Sequence, residues 1–197
     1  MGRLTIRGTS VELPVFEEDA ELTSVSTLGR GVEDRSNFVL DDVNMRALEL
    51  NDIVLRYGKI NKLRTETTDI RKMDTRSTHF SGCDLGKLSW LSGKLVSTVF
   101  EGCRLLGARF DDITLDNVAF VGCKLDYSAL LGVRASGPVI FSNCSFREAE
   151  LEKCHFAKAL FNDCELVSAR FGQGGYVTRP YPRRFRTSTV PSFSSLT

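Results

Sequence analysis

Phe80-Ser-Gly-Cys-Asp-Leu85, Phe100-Glu-Gly-Cys-Arg-Leu105, Phe120-Val-Gly-Cys-Lys-Leu125, Phe141-Ser-Asn-Cys-Ser-Phe146 and Phe161-Asn-Asp-Cys-Glu-Leu166 are one phrase written five times. Successive copies start 20, 20, 21 and 20 residues apart. A repeat of that length marks a solenoid, because one unit cannot bury its apolar face alone and must stack on its neighbours.

A finer period lies inside the coarse one. Every fifth residue from Leu40 through Leu50, Ile60, Phe80, Trp90, Phe100 and Phe120 to Ala135 belongs to one series of mostly large side chains. One residue is inserted near Ser136-Gly137-Pro138, and the series resumes at Phe141 and runs to Phe171. Two positions before most of these stands a smaller residue, as at Cys83, Thr98, Ala108, Val118, Ser128 and Ala149, and the intervening positions are mostly polar. A period of five suits neither an amphipathic helix nor an alternating strand. Five residues per side and 20 per coil predict a four-sided tube, with one large and one small side chain from each side pointing inward. The series has 20 positions before the insertion and seven after it. At four per coil that gives about seven coils and, at ~4.8 Å per coil, a rod about 33 Å long.

The pattern small–polar–Leu/Phe–x–x, carried by Ala108-Arg-Phe-Asp-Asp112 and Ala149-Glu-Leu-Glu-Lys153, resembles that of the pentapeptide-repeat family. The resemblance covers residues 36–172 and implies an all-β fold, a right-handed quadrilateral β-helix. Thr65, Thr75 and Ala135 depart from the pattern at the large site, and Gly58, Leu63, Met73, Leu88 and Gly93 at the small one. Those coils are expected to be less regular than the ones after Phe100. The resemblance also implies a candidate role: some members of the family bind DNA gyrase or related topoisomerases as duplex-DNA mimics that protect against inhibitors. That mechanism relies on a long acidic surface and an end-to-end dimer.

Charge bears on that role. The chain has 197 residues and a net charge of +1, and residues 36–172 carry 18 acidic and 18 basic side chains, interspersed. Such balance lacks the basic field a nonspecific nucleic-acid binder needs to neutralise phosphates. It equally lacks a strongly acidic face: Asp111, Asp112, Asp116 and Asp126 lie close in sequence, but Leu91 and Leu131 flank Asp111 in its column. Arg56 to Arg76 is locally basic, with Arg56 and Arg76 predicted to stack. It reads as a solvated face or as a site for an anionic partner.

The six cysteines read as packing. Cys83, Cys103, Cys123, Cys144 and Cys164 share a column and Cys154 lies on the opposite side, all at the small inward site, where cysteine acts as a compact hydrophobe. A straight column at the strand spacing suits neither a disulfide nor a tetrahedral zinc site. His79 and His155 point outward on different sides, and the chain holds no phosphate-binding loop, dinucleotide fingerprint or nucleophile elbow. No catalytic, metal or cofactor site is expected, and the protein is read as non-enzymatic. Without an apolar leader or spanning segment, the expected setting is the cytoplasm, away from membranes.

The repeats assign residues 36–172 to the tube, 1–35 to an N-terminal cap and 173–197 to a basic tail rich in Pro, Ser and Thr. In the first segment Leu4-Thr5-Ile6 and Val11-Glu12-Leu13 alternate like short strands, and Pro14 interrupts them. The tail reads as disordered, with an anion-binding or partner-ordered segment as the alternatives. On the outside of the tube the position before each large residue is normally polar, yet Val99, Ala119, Ile140 and Leu160 follow one another along one column. Four stacked apolar side chains read either as neighbours that favour strand pairing or as a docking strip. The partner expected on such a strip is a protein or a second copy of the rod, with a topoisomerase as the alternative the family resemblance supplies.

Overall fold

The computed structural model describes residues 2–16, 21–28 and 34–172. The 173–197 tail, and with it every reading of that segment, lies outside the described residues. The described chain is built of strands and turns without a helix. Two of the strands, β1 (Arg3–Ile6) and β2 (Thr9–Glu12), pair antiparallel with each other. All the rest stack in parallel, beginning with β3 (Thr23–Ser24), β4 (Asp34–Asp41), β5 (Asn44–Asn61) and β6 (Arg64–Ser81). The ladder continues through β7 (Asp84–Leu85), β8 (Leu88–Glu101) and β9 (Arg109–Val121) to Arg170–Phe171.

The register is the five-residue frame made visible. Leu40 lies against Ile60, Ile60 against Phe80, Phe80 against Phe100, and so on through Phe120, Phe141 and Phe161. Arg134 still pairs with Thr114 at an interval of 20, whereas Val139 pairs with Val118 at 21, which puts the extra residue in the Ser136–Pro138 corner. There the amides of Ser136 and Gly137 both donate to the Leu115 carbonyl, and the ladder resumes beyond this bulge without loss of register. A turn between sides needs backbone in the left-handed region. In the corner after Leu40, Ile60 and the five stacked phenylalanines that place is taken by Asp42, Lys62, Gly82, Gly102, Gly122, Asn143 and Asp163, with φ between 49° and 64°. Gly, Asn and Asp tolerate that conformation best, which explains the third letter of the repeated phrase.

The interior is a column of stacked side chains. Phe80, Phe100, Phe120, Phe141 and Phe161 overlap face to face, with ring centroids 4.6, 4.7, 4.9 and 4.6 Å apart. Trp90 is wholly buried and meets Phe100 edge-on.

The early coils correct one expectation. β5 and β6 pair from Asn44–Arg64 to Asn61–Ser81, with gaps only at Arg46, Asp52 and Tyr57, so this is the most continuous part of the ladder. The departures from the pattern compensate one another. Where Thr65 and Thr75 shorten the large site, Leu63 and Met73 fill the small one, and both are buried. Thr65 and Thr68 share a 2.6 Å hydrogen bond, and Thr75 and Thr98 one of 2.8 Å, so the hydroxyls enter the core already paired. Gly58 gives room to the Phe38 ring, whose atoms lie 2.3 Å from where a β-carbon would stand. Total volume per coil is what the tube requires, and exchanging a large and a small residue within one side preserves it.

The N-terminal region divides. Thr23 and Ser24 add a strand beside Phe38 and Val39, Leu28 enters the main core, and this part extends the first coil. The β1–β2 hairpin lies elsewhere, against a side of the rod.

Candidate interaction surface

The hairpin follows from local sequence. Ile6 and Thr9 are joined by Arg7 and Gly8 with φ of 48° and 82°, the two positive values of a two-residue turn whose twist matches antiparallel strands. Alternation then gives the ribbon two unlike faces. Arg3 and Glu12 pair across the outer face at 3.9 Å, and Thr5 and Ser10 share a 2.8 Å hydrogen bond. Leu4 and Val11 face each other on the inner side, with Ile6 and Leu13 beside them. A free hairpin with such an apolar face is marginal in water and needs a surface to cover.

That surface is the apolar column singled out in the sequence. Val99, Ala119 and Ile140 stack in register, and with Val11 they form a buried cluster separate from the core of the tube. Leu4, Ile6, Leu13 and Val121 pack around it. Leu160 continues the column beside Ile140 and is also buried, at 8% exposure. The sequence places these four residues on the outside of the wall, and there they are; the structure adds that the chain's own N-terminal hairpin sits over Val99, Ala119 and Ile140 instead of closing the end of the rod. One polar tie fixes the height: the Glu12 amide donates to Asn117 Oδ1 at 3.3 Å. From there the chain runs back down the same side, where the Lys59 ammonium stands 4.6 Å above the Phe16 ring. The signal for the hairpin itself was present, in two alternating runs joined by Arg7-Gly8, but not the signal for its seat.

The remaining polar groups do not converge. His79 bonds Glu101 at 3.1 Å on the hairpin's side of the rod, while His155 belongs to the adjoining side. Arg56 and Arg76 stack as expected, but Arg56 is held by Asp34 at 2.8 Å, and Arg64 and Arg71 by Asp42 and Asp69 at 3.0 Å. Elsewhere four acids are tied from coil to coil, Asp84 to Arg104, Asp116 to Lys94, Glu150 to Arg170 and Glu165 to Arg147. Asp111 is taken by Arg109 at 2.7 Å, between Leu91 and Leu131 in register. Exposed pairs of this kind add little stability each, but they leave the rod without a field of one sign.

The thiols point into the tube. Cys83, Cys103, Cys123, Cys144 and Cys164 each donate to a carbonyl of the coil before, at Ile60, Phe80, Phe100, Phe120 and Phe141, over 3.3 to 3.5 Å. Cys154 does the same to Leu130 at 3.2 Å. The bond to Cys123, with burial, pushes the Cys103 thiol up to about 12, and burial alone is the main cause that carries Cys154 to about 11. At the end of the column the bond from Cys144 holds Cys164 below the ordinary value, against the effect of burial. Among the described residues no group of three or more His, Cys, Asp or Glu is arranged to hold a metal ion. No helix among them is long and apolar enough to cross a membrane.

Comparison with known proteins is consistent with this architecture. Residues 94–171 match the family described as pentapeptide repeat region. No curated protein matches the sequence. Among solved structures, QnrB1, described as a plasmid-mediated fluoroquinolone resistance protein, is similar at 19% identity over 67% of this chain and 74% of its own, with a TM-score of 0.46. HetL, a pentapeptide repeat protein involved in heterocyst differentiation regulation from the cyanobacterium Nostoc sp., is similar at 13% identity, covering 74% of this chain and 87% of its own, with a TM-score of 0.33. At these scores the four-sided fold rests on the chain's own register.

Proposed function

From a chain whose residues 94–171 match the pentapeptide repeat region, we propose a non-enzymatic interaction module working in the cytoplasm: a rigid rod that docks an amphipathic β-segment of a protein on the strip Val99, Ala119, Ile140 and Leu160. One observation carries this reading. A segment of that chemistry, the apolar face of β1 and β2, already occupies Val99, Ala119 and Ile140 of the strip and displays the pattern the strip accepts, apolar residues at every second position. The wall beneath is held by the ladder and the stacked rings, so a ligand that displaces the hairpin meets a preorganised surface.

Duplex-DNA mimicry towards DNA gyrase, the alternative implied by the family resemblance, needs a continuous row of free carboxylates. The coil-to-coil ion pairs and the leucines beside Asp111 weigh against it.

The test changes Val99 and Ile140 to Glu. The rod should keep its far-ultraviolet spectrum, while amide exchange across residues 3–13 rises towards that of an unfolded peptide. Immobilised wild-type protein should retain a protein from its native cell that the double variant loses, and nuclease should not affect the retention. Unchanged exchange in the hairpin would overturn the reading. Inhibition of gyrase supercoiling at low micromolar protein would favour the mimic instead.

A further inference from the structure

We propose that the thiol column is a binding site for soft, thiol-seeking cations. Two neighbouring cysteines take one divalent d10 ion of the mercuric class in line between their sulfurs, and the five thiols of the column hold two such ions at a time.

The geometry comes from repetition. Cys83, Cys103, Cys123, Cys144 and Cys164 each approach a carbonyl of the coil before at 3.3 to 3.5 Å. Each also lies 3.5 to 3.6 Å from the carbonyl two residues back in its own coil. One side-chain conformation repeated up a parallel ladder spaces the sulfurs by the strand distance, about 4.8 Å. A straight row at that step gives neither a disulfide nor the four corners of a zinc site. Linear two-coordination is what it does offer. A thiolate bond to a d10 ion is about 2.3 Å long, as for zinc, so two in line span about 4.6 Å, close to the step of the column. The thiols enter across the axis of the tube, so an ion on the column's line meets each sulfur roughly at right angles to its Cβ–Sγ bond, on the side of the lone pairs.

Charge selects the ion. Two S–H bonds break, two metal–sulfur bonds form, both protons leave to solvent, and nothing is oxidised or reduced. Two thiolates then cancel the charge of a divalent ion, and the neutral product escapes the cost of burying a lone charge. A monovalent soft cation would leave one negative charge in the core, and hard cations want oxygen ligands that the column does not carry. Cys164, the last of the five, is the easiest entry, 8% exposed where the other four are 1–2%. Cys154 supplies the contrast within the chain, buried to the same degree but set beside Val133, off the column.

Native mass spectrometry of the full chain counts both the ions bound and the protons displaced. Mercuric ion is supplied as its complex with two free cysteines. A single protein thiol gains nothing over that carrier, whereas a preset pair gains by releasing both carrier ligands. The unaltered chain should retain two ions and lose four protons. Cys123→Ala leaves the pairs Cys83–Cys103 and Cys144–Cys164 intact and should also retain two. Cys103→Ala with Cys144→Ala leaves four thiols, none next to another, and should retain none. Ala108 and Val118 already fill the same inward site, fully buried, so alanine keeps the tube, and valine replaces it if the far-ultraviolet spectrum changes. Bound ions should leave that spectrum as it is and shift unfolding to higher temperature, because each ties two coils of the folded state together. Four results would overturn the site: fewer than two ions on the unaltered chain, fewer than two on Cys123→Ala, any ion on the Cys103, Cys144 double variant, or binding only as the strand spectrum is lost.

Discussion

Truncating Phe120 tests how energy is distributed along the rod. Its ring stacks on Phe100 at 4.7 Å with planes 4° apart, and on Phe141 at 4.9 Å. Phe120→Ala removes a buried ring and leaves a cavity, a loss of about 3–5 kcal/mol at a site whose neighbours cannot collapse inward. The cross-terms are more informative. In a stack with only neighbour contacts, Phe100→Ala and Phe120→Ala should couple by about 0.5–1.5 kcal/mol, the usual value of an aromatic pair. Phe80→Ala and Phe120→Ala, with the Phe100 ring between them, should add to within about 0.5 kcal/mol. Urea unfolding followed at Trp90, the chain's one tryptophan and wholly buried, reads all six proteins, and Phe→Leu replaces Phe→Ala if a double variant does not fold. Coupling of equal size across one coil and across two would refute the neighbour-only account of this core.

Three further outcomes follow from the interior. Because thiol-to-thiol bonds, which raise each thiol from one neighbour and lower it from the other, act together with burial to push Cys103, Cys123 and Cys144 up to about 12 in the folded protein, against 9.0 ordinarily, the folded state keeps protons that the unfolded state releases. Stability is therefore full below pH 9 and falls as pH rises towards 12, at about 1.4 kcal/mol per pH unit for each thiol, and alanine at Cys103 and Cys123 should flatten that fall in urea titrations. Gly58→Ala should destabilise by driving a methyl into the Phe38 ring, and Phe38→Leu in the same chain should recover part of the loss; a destabilisation that Phe38→Leu leaves untouched would place the cause elsewhere. Thr65→Val strips Thr68 of its hydroxyl partner and should cost about 1–3 kcal/mol, whereas adding Thr68→Val should bring thermal stability back near the starting value.

The tube was legible in the sequence because its rule is local and repeated. Phe80 to Phe161 announce the coil length, and the single misplaced interval announces the bulge at Ser136–Pro138. The early coils read less well, since Leu63 with Thr65 and Met73 with Thr75 each look like two errors and are one exchange of volume. A pattern scored position by position does not register that compensation. The strip was legible as an anomaly, four apolar residues where polar ones belong. Its occupant was not, because pairing Val11 with Val99 and Ile140 depends on where the chain travels between residues 13 and 34, and no periodicity encodes that path.

The seat of the hairpin has a consequence for how the protein is made. Glu12 leaves the ribosome 105 residues before Asn117, to which it will be tied, and Ile140 comes later still. At 5–20 residues per second the first strands wait about 5–20 s before their berth exists. The wall that the hairpin covers includes Ile140, so the hairpin cannot take its full seat before that residue has been made.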